Sequence, residues 1–325
     1  MDRRSLLRFT TLAPFGVLGT LSSARGQQHW PQRTVKLIVP LGPGSGADIA
    51  SRLVADRLSR TWGEPVIVEN RPGGDGLVGI SAFVGAHDDH VLFVGANTTF
   101  APHPFVHKKL PYDAKRDVIP IAGFSELSIG IAAPTSLNVN ALTELVTLAR
   151  SEPGKLNWGA ITAIDDFMFG DFLHGAGLSM SRVPYRDPVS ALNDLSEGRI
   201  DICLSALALS LPRFHTGKVN VLAVTNPRRS KIAPEVPTVS EAGYSSLTYD
   251  PILGLFGPNT MTPDIRHRIA NGLQGIAADS GFAARLIPTG QVAVFMPTGQ
   301  FEEAIDAERL KVAEIARRLG IKPTQ

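Results

Sequence analysis

From Thr34 onward, short apolar runs alternate with segments whose apolar residues recur at helical spacing. Val35-Lys36-Leu37-Ile38-Val39 reads as a buried strand, and a Gly/Pro-rich loop follows it. In the next segment Ile49, Leu53, Val54 and Leu58 share one face of a helix, with Asp48 chemically suited to cap its start. The pattern then predicts a strand from Pro65 to Val68, a Gly-rich turn from Pro72 to Gly76, a helix to about Ala86 and a strand Val91–Val94. Strand, helix, strand, helix, strand implies a doubly wound α/β sheet, in which ligands sit beyond the carboxyl ends of the strands. The segments to watch are therefore the loop after Val39, Glu69-Asn70-Arg71, and Ala96-Asn97-Thr98-Thr99.

A second α/β series starts near Gly130. It comprises a helix Ala141–Arg150, a strand Leu156–Gly159, a helix from about Asp166 to His174, a strand ending at Val183-Pro184-Tyr185, a helix Val189–Glu197, and strands Ile200–Leu204 and Val221–Val224. A Pro-rich stretch from Pro234 to Pro263 leads to two final helices, Ile265–Ala277 and Phe301–Leu319. Two α/β lobes crossed by more than one strand account for this order.

The first residues read differently. Arg3-Arg4-Ser5-Leu6-Leu7-Arg8 precedes an apolar stretch from Phe9 to Leu21 and the small residues Ser22, Ser23 and Ala24, the order of an export signal of twin-arginine type. We assign it residues 1–26, with cleavage between Ala24 and Gln28 and a periplasmic destination. Its removal takes Lys+Arg from 32 to 28 and Asp+Glu from 30 to 29, so the mature chain carries a net charge near −1. The sequence pI of 8.7 thus reports mostly the signal. It gives no ground for a nucleic-acid partner. The lone thiol, Cys203, falls in an apolar strand with nothing basic beside it, which points to core packing.

The loop Pro40-Leu41-Gly42-Pro43-Gly44-Ser45-Gly46-Ala47-Asp48 joins a buried strand to a helix start, where free N–H groups and the helix dipole favour an anion. A purely structural tight turn is the alternative. No Gly-Lys-Ser/Thr follows, and the even glycine spacing fails the dinucleotide pattern. His87 with His90, and His103 with His107, have metal-compatible spacing, but Pro104 interrupts the second pair and neither sits in a zincin-like pattern; they read as surface-loop histidines. No Gly-x-Ser-x-Gly elbow is present. These exclusions favour a binder over an enzyme, with no cofactor and no metal.

Blocks along the whole chain carry a resemblance: Trp30-Pro31, the Pro40–Asp48 loop, Glu69-Asn70-Arg71-Pro72-Gly73, Lys109-Leu110-Pro111-Tyr112-Asp113, Glu152–Asn157, Val183-Pro184-Tyr185-Arg186, Ala223-Val224-Thr225, Pro237–Gly243 and Gly257–Pro263. With these the sequence resembles the Bug-type (TctC) periplasmic receptors of tripartite tricarboxylate transporters. The resemblance implies an α/β fold of periplasmic-binding-protein type II, a Venus flytrap of two doubly wound lobes around a cleft. Lobe 1 would be residues 27–128 with 251–325, and lobe 2 residues 129–250. It implies a monomeric receptor that closes on a small carboxylated metabolite and hands it to membrane transporter subunits. By the same likeness Leu41, Gly42, Gly44, Ser45, Gly46, Ala47 and Asp48 form a first clamp, assisted by Thr98 and Thr99. Ile161, Thr162, Ile164, Asp165, Tyr185, Asp187 and Ser205 line the opposite side.

The second loop departs from the family. Relatives carry a Ser/Gly-rich run and a histidine opening the helix, whereas this chain has Gly159-Ala160-Ile161-Thr162-Ala163-Ile164-Asp165-Asp166-Phe167, with Phe167 in place of the histidine. Arg186-Asp187 replaces Lys-Gly, and Ser205 stands for an aspartate. Carboxylates at Asp165, Asp166 and Asp187 would repel a second ligand carboxylate or pair with an ammonium or hydroxyl; helix capping is the other role open to Asp165 and Asp166. A receptor-derived sensor that signals to a membrane partner is the alternative to uptake.

Overall fold

Strand β1 (Val35–Val39) shows why the first sheet is buried on both faces: Val35, Leu37 and Val39 point to one side, Ile38 to the other, and only Lys36 is exposed. The computed structural model describes residues 30–185 and 187–323. The expected export segment and Arg186 lie outside the described residues.

Strands β1, β2 (Val66–Asn70), β3 (Val91–Ala96), β4 (Val118–Leu127), β10 (Ile252–Pro258) and β11 (Gln291–Met296) form one six-stranded sheet in the order β11-β4-β10-β3-β1-β2. A second sheet of five strands comprises β5 (Ile129–Pro134), β6 (Asn157–Ala160), β7 (Ser181–Pro184), β8 (Ile202–Ala206) and β9 (Val219–Val224), in the order β7-β6-β8-β5-β9. Each sheet is mixed. The β2-β1-β3 and β7-β6-β8 segments are parallel, while β10, β4 and β11 run antiparallel in the first and β5 in the second. The Pro-rich stretch read as connection therefore contains a central strand, β10.

Around the first sheet lie α1 (Gly46–Trp62), α2 (Leu77–Ala86), the single turn α3 (His103–Val106), α8 (Pro263–Ala277), α9 (Ser280–Leu286) and α10 (Thr298–Leu319); α4 (Leu142–Ser151), α5 (Ala163–Ala176), α6 (Pro188–Ser196) and α7 (Leu207–His215) belong to the second. Leu53, Val54 and Leu58 of α1 pack with Ile269 and Leu273 of α8 against Leu37 and Leu92. On the opposite face Ile80, Phe83 and Phe301 enclose Ile38 and Phe93. Each such fully buried side chain contributes about 1.5–3 kcal/mol of transfer free energy. Phe301 lies so close to β10 that a Cβ on Gly254 would collide with its ring, so glycine is required there.

The chain passes between the sheets at Leu127–Ile129 and again between Val224 and Ile252. Asn226 ties the two passages together: Nδ2 donates to the Leu127 carbonyl (2.8 Å) and to Asp250 Oδ1 (2.7 Å), and Oδ1 accepts from the Ile129 N–H (3.3 Å). The end of α10 makes a third link, through Arg318 paired with Asp171 of α5 (2.7 Å).

Candidate functional site

Helix α1 starts earlier than its apolar spacing suggests, and its cap is Ser45, with Asp48 at the third helical position. Ser45 Oγ accepts from the Asp48 N–H (3.2 Å), one half of a capping box. The Asp48 carboxylate, almost fully buried, accepts from the Gly44 N–H (2.9 Å), from Asn70 Nδ2 (2.9 Å) and from Arg52 Nε (3.1 Å). Burial pushes its pKa up, but Arg52, the Gly44 N–H and Asn70 outweigh that and hold it below the usual carboxylate range. Asp48 is thus an anionic brace that shapes the loop. Asn70 also donates to the Leu41 carbonyl (2.9 Å), and buried Gln291 donates to the Gly46 carbonyl (2.8 Å), fixing the loop at both ends. Gly44 has φ +82°, which only glycine adopts without strain. Among the described residues the N–H groups of Gly46 and Ala47 find no acceptor, as expected for a first helical turn, and an anion there would receive them.

The second loop is built the same way. Thr162 caps α5, its Oγ1 donating to Asp165 Oδ2 (2.8 Å) and lying 3.4 Å from the Asp165 N–H. The Tyr249 hydroxyl donates to the other Asp165 oxygen. Burial dominates here, and the Asp165 carboxyl is pushed up to about 6 despite Tyr249 and Thr162. Asp166 is held by Arg182 (2.6 Å from Nε), so both acids of this loop are engaged within the protein. Ile164 and Phe167 are buried, and the Phe167 ring meets Phe105 of α3 with centroids 6.2 Å apart, joining the two lobes.

Other expected ligand groups turn out to be occupied structurally. Asp187 is exposed and caps α6 by accepting from the Ser190 N–H (2.9 Å). The Tyr185 hydroxyl donates to Asp194 (2.6 Å), its ring lying over Gly159 and sharing an apolar group with Ile161. Ser205 bonds Ser210 (3.1 Å) in the interior, Thr99 Oγ1 accepts from the Ala96 N–H (2.8 Å), and Thr98 is buried beneath that turn. Cys203 is buried in β8, and burial pushes its thiol up to about 12.

The histidine reading needs correction, since His90, His103 and His107 are all buried. Asp88, Asp89 and His90 bring three ligand atoms within 4.8 Å of one another, but each already has a partner: Arg33 pairs with Asp88 (2.7 Å), Asp89 with His90 Nδ1 (2.6 Å), and the Gln32 N–H reaches His90 Nε2 (3.2 Å). That arrangement fastens a loop. A surface groove of about 580 Å³ runs beside β2 along Arg52, Asp56, Arg60 and Ile67; all its lining residues come from one lobe, so it does not join the two loops.

The turn Gly74–Gly76 after β2 does join them. A Cβ on Gly76 would touch Pro40 (3.5 Å), at the root of the first loop, while the adjacent Asp75 carboxylate faces the Ala163 N–H at the start of α5. Sequence reasoning treated this turn as glycine-rich backbone only. The available signal was a charged residue inside Gly73-Gly74-Asp75-Gly76.

Residues 50–321 match the family model described as "Tripartite tricarboxylate transporter family receptor". A UPF0065 protein of Bordetella bronchiseptica is 28% identical over 98% of this chain and 95% of its own length. Among solved structures, one described as a periplasmic transporter superposes with a TM-score of 0.81 at 26% identity, covering 90% of this chain and 99% of its own. R. palustris Rpa4515, solved with adipate, gives a TM-score of 0.79 at 24% identity, covering 91% and 100%. The fold is that of a two-lobed periplasmic binding protein, and the matching family model describes receptors. The chain belongs to the receptor family of the tripartite tricarboxylate transporters.

Proposed function

We propose that this protein is an exported receptor that captures a small carboxylate between its lobes (27–128 with 251–325, and 129–250) and delivers it, as a monomer, to membrane subunits of the tripartite tricarboxylate type. One observation carries the reading: α1 and α5, from different sheets, both begin at the carboxyl ends of parallel strands with side-chain N-caps, and the Gly74–Gly76 turn touches the neighbourhood of both. The N–H groups of Gly46 and Ala47 at the start of α1, unpaired among the described residues, suit an anion. The adipate held by the R. palustris relative belongs to this ligand class. Closure would pivot on the two passages bridged by Asn226. No described helix is long and apolar enough to cross a membrane.

The test is a thermal-shift panel of mono-, di- and tricarboxylates, amino acids and sugars. A ligand at a hundred times its Kd stabilises the folded state by about 2.7 kcal/mol, several degrees in Tm for a chain of this size. A shift by at least one small carboxylate is expected. Shifts confined to uncharged sugars would overturn the reading.

A further inference from the structure

We infer that Asp75 determines what the far end of the ligand must be: a hydrogen-bond donor such as a hydroxyl or ammonium, in place of a second carboxylate. This rests on the carboxylate-receptor reading above and refines it. Asp75 occupies the left-handed region (φ 53°, ψ 36°), which aspartate and asparagine tolerate better than other non-glycine residues, in a run otherwise made of glycine.

The turn is held in place from behind. His103, with 1% of its surface exposed, sets Nε2 3.1 Å from the Asp75 carbonyl and 3.7 Å from its carboxylate. The Tyr112 hydroxyl lies 2.6 Å from His103 Nδ1, which leaves Nε2 as the protonated nitrogen that donates to the Asp75 carbonyl. Burial pushes the His103 pKa down to about 4, so the ring is neutral and does not cancel the Asp75 charge.

The carboxylate itself stays one-third exposed and faces the Ala163 N–H at the start of α5. It therefore stands where a ligand anion would meet that helix. Asp165 and Asp166 flank it, the first satisfied by Tyr249 and Thr162 and the second by Arg182. Crowding by burial and by these acids pushes Asp75 up to about 6. A second ligand carboxylate arriving here would meet a resident negative charge beside the Ala163 N–H, whereas a hydroxyl or ammonium could donate to Asp75.

The experiment is a calorimetric titration of the purified protein with chain-matched acids: adipate, 6-hydroxyhexanoate and 6-aminohexanoate, and their four-carbon counterparts. Asp75→Gly and Asp75→Asn are compared with the parent; both residues tolerate positive φ, and circular dichroism verifies that they fold. The parent should bind the hydroxy or amino acid at least tenfold more tightly than the matched dicarboxylate. Both variants should shift that ratio at least tenfold toward the dicarboxylate. Carboxylate binding with a ratio that stays within twofold across all three proteins would overturn this inference and leave the receptor reading intact. If neither series binds to any of the three, the receptor reading falls for these acids and the inference falls with it.

Discussion

Asp165 offers the sharpest energetic test, because its carboxyl is buried, doubly hydrogen-bonded and still raised to about 6. A carboxyl whose folded pKa lies above its unfolded value near 3.9 binds more protons in the folded state between those two values. Its contribution is therefore fully present below about pH 4 and is lost as pH rises through about 6. Two pH units at 1.36 kcal/mol each make about 3 kcal/mol. Asp165→Asn removes the charge while keeping the shape. Its oxygen still accepts from Tyr249, and its amide donates to Thr162 Oγ1 in place of the lost acceptor. The variant should be more stable than the parent by about 1–3 kcal/mol at pH 7.5 and equal to it at pH 4. Asp250, also raised to about 6, is common to both proteins and cancels in the difference, while Asp75, raised in part by the Asp165 charge, relaxes in the variant and adds to the gain in the same direction. Urea unfolding followed by tryptophan fluorescence reads the change, since Trp158 packs on Phe169 of α5 with ring centroids 4.9 Å apart. A difference that does not vary with pH, or a less stable variant at pH 7.5, would refute the reasoning.

Three further outcomes follow from the same geometry. Gly44→Val forces a β-branched residue to φ +82° and should cost about 1–3 kcal/mol in urea unfolding while lowering carboxylate affinity more than tenfold; unchanged affinity would remove the first loop from the site. Asn226→Ala leaves the Leu127 carbonyl and half-buried Asp250 without this donor and should cost about 2–4 kcal/mol, read from the same unfolding curves. Cys203 should resist a disulfide reagent at pH 8 until urea unfolds the protein, because burial holds it as the thiol; rapid labelling of the native protein would contradict that.

The strands that are continuous apolar runs, such as Val91-Leu92-Phe93-Val94 and Val221-Leu222-Ala223-Val224, were readable directly from the sequence. Strands β4 and β10 were not, because Pro120, Gly123, Gly254, Gly257 and Pro258 look like turn residues. Their pairing carries register shifts, and the absent side chains make room for Phe301. Both clamp helices begin two to three residues earlier than the periodicity indicated, since Ser45 and Thr162 sit in loops whose small residues hide the side-chain caps. Burial of His90 and His103 depends on partners 58 and 28 residues away, Gln32 and Asp75, which local pattern cannot show. Asp75 escaped for a related reason: its importance comes from a helix that begins 88 residues later.

The central claim is recognition of a carboxylate by the backbone at the start of α1. It is tested most directly by titrating the parent protein with the best-binding carboxylate and with its neutral carboxamide, then repeating both with Gly44→Val. The account predicts that the carboxylate binds at least tenfold more tightly than the amide and that the variant loses this preference. Equal binding of acid and amide, or a preference that survives in the variant, would contradict it.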